Sequence, residues 1–93
     1  MPDLPSQRNA INALATEHGA KNVRVFGSYA TGRETPSSDL DLLVDLEPGR
    51  DLLDLIGFKQ AVEQVLGVKT DVLTEVALSP YLRQRILAEA RPL

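Results

Sequence analysis

Two apolar runs of strand length, separated by a glycine-serine turn and a polar connector, constrain what this chain can fold into more than any other feature. They occupy residues 23–46, which read VRVFGSYATGRETPSSDLDLLVDL. The second run is predicted as a strand over 40–46 that contains Asp41, with Asp39 directly before it. Because successive side chains of a strand point to opposite faces, both carboxylates are predicted to leave the same face.

The two aspartates are candidate metal ligands. Two carboxylates held this close repel each other at neutral pH, and such a pair usually persists because a divalent cation lies between them. Gly27 and Ser28 are candidate phosphate ligands at the end of the first run. Glycine lets backbone approach a ligand closely, and a serine at a helix start offers a hydroxyl beside unpaired N–H groups. Together these features predict phosphoryl or nucleotidyl transfer.

This joint pattern resembles the signature of nucleotidyltransferases in the DNA polymerase beta superfamily. In so short a chain it is most similar to the minimal nucleotidyltransferases of the MntA-like antitoxin type, which act beside a HEPN-domain protein. The resemblance covers residues 23 to about 74, and the DxD pair alone would be weak support for it. The residues that carry it are Gly27-Ser28, Ala30, Gly32, Arg33 and Ser38-Asp39-Leu40-Asp41-Leu42.

The resemblance implies a third carboxylate on the strand after the intervening helix, and Asp71 matches it. From its neighbours alone, Asp71 is equally well explained as a surface residue at a strand end. The resemblance implies that Asp39, Asp41 and Asp71 are catalytic and hold two Mg²⁺ ions, roughly 3.5 to 4 Å apart in sites of this type. Asp71 would also help to deprotonate the attacking hydroxyl.

The implied reaction is in-line attack by a hydroxyl on the α-phosphate of a nucleoside triphosphate, with release of pyrophosphate. Gly27 and Ser28 would hold the β and γ phosphates. Arg33 is equally well explained as a phosphate ligand and as a solvated loop cation. The resemblance implies ATP as the substrate, although no residue visibly reads the base, and a tyrosine of a partner HEPN toxin as the acceptor.

The order of predicted elements is helix, strand, short helix, strand, helix, strand and helix. This order predicts an α/β fold with a small mixed three-stranded sheet packed with about four helices, and the resemblance implies the nucleotidyltransferase core. The predicted helices cover about 4–19, 28–32 and 51–66, with a last one opening at Ser79-Pro80. The predicted strands cover about 23–26, 40–46 and 68–73.

Composition narrows the class of protein. The chain has 93 residues, of which 43% are hydrophobic, no cysteine and a formal net charge of −3. We therefore expect one domain over 1–93, without disulfides, in the cytoplasm. Met1-Pro2-Asp3 is not expected to begin a signal peptide, and no apolar run reaches the ~20 residues of a membrane span.

The negative charge argues against binding long nucleic acid, and hence against a template-directed polymerase. Assembly with itself or with a second chain stays open.

Two other interpretations fit part of the pattern. The first is a catalytically inert module with the nucleotidyltransferase fold, which neutralises a partner protein by contact. The second is a simple cation-binding or phosphohydrolase DxD protein. The second leaves the Gly27-Ser28 turn and Asp71 as coincidences.

Overall fold

A computed structural model describes residues 4–93 as one mixed sheet packed with helices. The prediction made for Met1-Pro2-Asp3 lies outside the described residues. In chain order the elements are α1 (Leu4–Glu17), β1 (Ala20–Phe26), α2 (Ser28–Thr31), β2 (Leu40–Leu46), α3 (Leu52–Leu66), β3 (Thr70–Thr74), a 3₁₀ turn (Glu75–Ala77), α4 (Pro80–Glu89) and β4 (Arg91–Pro92).

The strands lie side by side in the order β3-β2-β1-β4. The central pair, β1 and β2, is antiparallel, and its register places Phe26 opposite Asp41. On the other side of β2, β3 runs parallel, as expected for strands joined by a crossover helix. This order confirms the predicted α/β class with a mixed sheet.

The ends of the longer helices follow from local residues. Asp51 accepts the N–H groups of Leu53 and Asp54, and Asp54 accepts the N–H of Asp51, which makes a reciprocal cap. Gly67 ends α3 in the left-handed conformation that glycine adopts most readily. Ser79 accepts the N–H of Tyr81 at the start of α4. The predicted start of α4 and bounds of α3 are therefore confirmed.

The two faces of the sheet bury different sets of residues. One face forms the larger core with α1 and α3, in which Ile11, Leu40, Leu42, Val44, Phe58 and Val62 have no exposed surface. The opposite face carries a smaller cluster of Phe26, Leu43 and Leu78, against which Ile86, Leu87 and Ala90 pack. Asp41 lies on this second face, because residues opposite each other on neighbouring strands share a face.

The predicted count of three strands was one too low. A fourth strand, β4, pairs Pro92 with Arg24 and Arg91 with Val25 at the edge of the sheet. Two residues are too short to show an alternating pattern, and proline is tolerated at a sheet edge. In addition, β1 begins at Ala20, three residues earlier than predicted. It contains a register shift between Lys21 and Arg24 and a positive φ of 53° at Asn22.

Among the helices of residues 4–93, none is both long enough and apolar enough to cross a membrane.

Candidate active site

The second face of the sheet brings acidic residues from separate parts of the chain together. Asp41 and Asp71 occupy matching positions on the parallel strands β2 and β3. Asp39 lies directly before β2, and both Asp39 and Asp41 are half-buried, whereas Asp71 is exposed. Leu73 shares the face of Asp71, as the alternation in β3 predicts.

The surroundings of Asp41 disfavour its negative charge. Burial raises the pKa of Asp41 from its ordinary value of 3.8 to about 6, and the nearby charges of Asp71, Asp39 and Glu89 add to the shift in that order. A cation among these carboxylates would relieve both the burial and the repulsion. The local electrostatics thus favour a bound positive ion beside Asp41.

Gly27 lies against this carboxylate at the end of β1. Its backbone angles, φ 73° and ψ −151°, fall in a region that essentially only glycine occupies. A Cβ atom at this position would collide with Oδ2 of Asp41. The turn therefore requires glycine, and a side chain at this position would also push the Asp41 carboxylate aside.

Ser28 and Arg33 flank the short helix α2. Ser28 is its first residue and is half-buried. Arg33 follows Gly32, which ends α2 in the left-handed conformation, and its backbone N–H donates to the carbonyl of Ser28 at 2.9 Å. The Arg33 side chain is exposed. The phosphate-binding roles of these residues stay predictions.

One acidic residue at this site was not predicted from the sequence. Glu89, the last residue of α4, accepts the backbone N–H of Gly27 through Oε1 at 3.0 Å. It follows Gly27 by 62 positions, and a lone glutamate at the end of a basic helix carries no local signal of such a contact. The packing of α4 on the smaller core cluster brings Glu89 to the turn.

A largely buried arginine, Arg24 of β1, lies on the same face of the sheet. Arg24, whose side chain is 12% exposed, pairs with Glu75 at 2.8 Å and with Asp45 at 3.2 Å. Its Nε also donates to the carbonyl of Asn22. These contacts tie the 3₁₀ turn after β3 to both central strands, which helps to hold β3 and its Asp71 in register.

The acidic residues suit Mg²⁺ in chemistry, because this ion prefers carboxylate oxygens. They interact through charge, as the raised pKa of Asp41 indicates. Within residues 4–93, however, no group of three acidic or histidine side chains already converges closely enough to hold a metal ion. The three aspartates Asp39, Asp41 and Asp71 are thus candidate metal ligands near the start of β2 and β3. Their side chains would have to move closer together to bind an ion.

Aspartates on the neighbouring strands β2 and β3, with a glycine turn against one of them, fit the nucleotidyltransferase fold that the sequence resembles. The sequence model described as the nucleotidyltransferase domain matches residues 8–93. The chain therefore belongs to the nucleotidyltransferase domain family.

Curated relatives carry more specific names. The chain is 42% identical over 83 residues to a Methanocaldococcus jannaschii protein named "Putative protein adenylyltransferase", with 89% of each chain covered. It is 33% identical over 76 residues to "Protein adenylyltransferase MntA" of Thermococcus cleftensis, with 82% of this chain and 77% of that protein covered.

Solved structures share the fold. One described as "putative minimal nucleotidyltransferase" has a TM-score of 0.86 and 50% identity, with 97% of this chain and 92% of that chain covered. A toxin-antitoxin complex with AMP-PNP has a TM-score of 0.76 at 22% identity, with 90% and 69% covered. These matches confirm the resemblance to minimal nucleotidyltransferases and the assignment to an enzyme class. The roles of individual residues and the single domain over 1–93 stay predictions.

Proposed function

We propose that this protein is a Mg²⁺-dependent adenylyltransferase that transfers AMP from ATP to a tyrosine hydroxyl of a partner HEPN toxin and thereby acts as an antitoxin. The observation that carries the proposal is the placement of half-buried Asp41 opposite Asp71 and directly against Gly27. Support for the acceptor comes from the relatives named protein adenylyltransferases. A chain in the structure of a tri-AMPylated Shewanella oneidensis HEPN toxin in complex with MNT antitoxin shares the fold, with a TM-score of 0.72 at 18% identity.

Each proposed residue has a chemical role. Asp39, Asp41 and Asp71 would hold Mg²⁺, with two ions expected, and the metal would neutralise phosphate charge and lower the pKa of the attacking hydroxyl. Asp71, the exposed member, would accept the proton of that hydroxyl. The hydroxyl oxygen then bonds to the α-phosphorus as the bond to pyrophosphate breaks. Gly27, Ser28 and Arg33 would hold the departing phosphates.

The proposal also covers the domain organisation, the cellular location and the partner of the protein. Residues 1–93 act as a single domain in the cytoplasm, where ATP is available. A second chain supplies the acceptor tyrosine, so a complex with the toxin is expected during transfer. ATP is proposed over other nucleoside triphosphates because the named relatives are adenylyltransferases.

The test uses the full chain and, as the candidate toxin, the product of the neighbouring gene. Both are incubated with Mg²⁺ and ATP labelled at the α-phosphate, and AMP attached to the toxin is located by mass spectrometry of its peptides. We expect a modified tyrosine in the presence of Mg²⁺, none with EDTA, and none with Asp39→Ala plus Asp41→Ala. Glu47→Ala, which removes an exposed carboxylate after β2, is the matched control.

A growth assay separates the proposal from neutralisation by contact. Cells expressing the toxin should be rescued by the wild-type chain but not by the variant with both aspartates replaced. If that variant binds the toxin and still rescues growth, the protein acts as an inert module and the enzymatic proposal is wrong. GTP, CTP and UTP in place of ATP test the base preference.

A further inference from the structure

The backbone N–H of Gly27 already has an acceptor within the chain. Oε1 of Glu89 lies 3.0 Å from it. Glu89 is held at this position by its own helix, because Ile86, Leu87 and Ala90 pack against Phe26, Leu43 and Leu78. The contact therefore joins the end of α4 to the turn between β1 and α2.

The proposed function places Gly27 among the residues that hold the phosphates, and its backbone N–H is the only hydrogen-bond donor that a glycine can offer. A backbone N–H makes one strong, well-aligned hydrogen bond, and a carboxylate is a strong acceptor for it because the bond is charge-assisted. A phosphate oxygen can take the N–H of Gly27 only by displacing Glu89. Two anionic acceptors thus contend for one donor.

The negative charge of Glu89 also disfavours binding of a triphosphate. Glu89 lies close enough to Asp41 to contribute to the raised pKa of that carboxyl, after Asp71 and Asp39. A carboxylate at this distance repels an incoming triphosphate, whereas it would attract a cation. Competition for the nucleotide and coordination of the metal therefore predict opposite effects when Glu89 is removed.

We propose that Glu89 is an internal competitor of the nucleotide: its carboxylate holds the N–H of Gly27 and lowers the affinity of the site for a triphosphate. This inference rests on the proposed function, since it needs a triphosphate at the Gly27 turn. It adds a residue that sets nucleotide affinity without taking part in the transfer itself.

The test measures binding of a non-hydrolysable ATP analogue with Mg²⁺ by calorimetry, with the full chain and without toxin. Glu89→Ala should bind the analogue about tenfold more tightly than wild type, the factor that corresponds to one hydrogen bond to a charged group. Glu89→Gln should fall between the two, because an amide oxygen is a weaker acceptor and carries no charge. Glu47→Ala, at an exposed position, should match wild type.

Opposite results would overturn the inference. Weaker binding of the analogue by Glu89→Ala, together with weaker binding of Mn²⁺ alone, would make Glu89 a metal ligand. Unchanged affinity with a lowered melting temperature would make it only a structural tie between α4 and the turn. Glu89→Gln keeps an acceptor for Gly27, so it provides a folded variant for both comparisons.

Failure of the inference and failure of the proposed function can be told apart. If wild type binds the analogue and Glu89→Ala binds it no better, only the inference fails. If neither protein binds the analogue at millimolar concentration, the proposed nucleotide site is wrong, and the inference about Glu89 is then wrong as well. Hydrogen exchange at the Gly27 amide needs no nucleotide and should be faster in Glu89→Ala than in wild type.

Discussion

Asp41 of β2 and Asp71 of β3 lie side by side on the same face of the sheet, at matching positions of a parallel pair. Adjacent strands lie about 4.8 Å apart, so the two carboxylates begin from neighbouring backbone positions. The register is held from the other face of the sheet, where Leu40, Leu42 and Val44 are fully buried. A slip of one residue would expose these side chains and bury the aspartate, so the core itself fixes the pairing.

Replacement of Asp71 should separate catalysis from folding. Asp71→Asn keeps the size of the side chain, and the position is exposed, so the melting temperature should change little. Transfer of AMP to the toxin should fall by about 100-fold or more if Asp71 accepts the proton of the attacking hydroxyl. The rate is measured with labelled ATP under single-turnover conditions. Wild-type rates in Asp71→Asn would remove Asp71 from the proposed mechanism.

Gly27→Ala should disrupt the site because the new Cβ meets Oδ2 of Asp41. The backbone at Gly27, with ψ −151°, is also far less accessible to alanine than the left-handed conformation of Gly67, with ψ 21°. We expect Gly27→Ala to lower the free energy of unfolding by about 2 kcal/mol or more and to weaken nucleotide binding.

Gly67→Ala is the matched control for this variant. Its φ is 70° and no atom lies within 4 Å of the added Cβ, so only backbone strain of about 1 kcal/mol is expected, with unchanged nucleotide affinity. Urea denaturation and calorimetry measure the two quantities. Equal losses of unfolding free energy and of nucleotide affinity in the two variants would show that the contact between residue 27 and Asp41 affects neither quantity.

The strand positions of Asp41 and Asp71 were accessible from the sequence because each lies in a short apolar run, whereas the grouping of Asp71 with Asp39 and Asp41 was implied only by the family resemblance. Alternation within 40–46 and the position of Asp71 beside Val72 predict which face each side chain takes. The parallel pairing follows from the intervening helix α3, whose cap at Asp51 and end at Gly67 are both marked by residue type. Such features depend on neighbours in the chain, and single-sequence patterns report them well.

Glu89 and β4 were missed for a different physical reason. Both depend on where the chain returns after α4, and this is decided by packing of Ile86 and Leu87 on the smaller core cluster. No periodicity within α4 specifies that Glu89 will meet Gly27. The pairing of Arg24 with Glu75 likewise joins residues 51 positions apart, and neither residue type nor spacing indicates it.

Arg24→Ala should destabilise the fold more than loss of an exposed ion pair. The Arg24 side chain is 12% exposed and pairs with Glu75 and Asp45, whose side chains are 34% and 39% exposed. Removing it leaves two partly buried carboxylates with weaker partners, since Glu75 keeps Arg83 at 3.9 Å and Asp45 keeps the side-chain amide of Asn22 at 3.1 Å. We expect a loss of about 2 kcal/mol in the free energy of unfolding.

Lys59→Ala is the control, because it removes a single cation 35% exposed that pairs with Glu63 one helical turn away. Its effect should stay within about 0.5 kcal/mol. Both variants are compared by urea denaturation at pH 7.5. Similar losses would mean that the Arg24 network contributes no more than a surface pair.

The acidic site should make stability depend on pH in a direction set by Asp41. Its pKa is about 6 in the folded protein and ordinarily 3.8, so the folded state binds the proton more tightly than the unfolded state. As pH rises through this window, the unfolded chain gives up its proton first, and stability falls until the penalty is complete above about pH 6. Asp41→Asn removes the penalty. It should therefore stabilise the protein at pH 7.5 and have little effect near pH 4.

The expected gain for Asp41→Asn at pH 7.5 is about 1 kcal/mol, because water screens a half-buried carboxylate and reduces what the pKa shift would otherwise imply. In a domain of this size that corresponds to a rise of about 4 to 8 °C in melting temperature. Melting curves from pH 4 to 8 in EDTA measure it, with Glu47→Gln as the exposed control. A variant that is less stable than wild type at pH 7.5 would show that the Asp41 carboxylate contributes favourable contacts that outweigh its repulsion from Asp71 and Asp39.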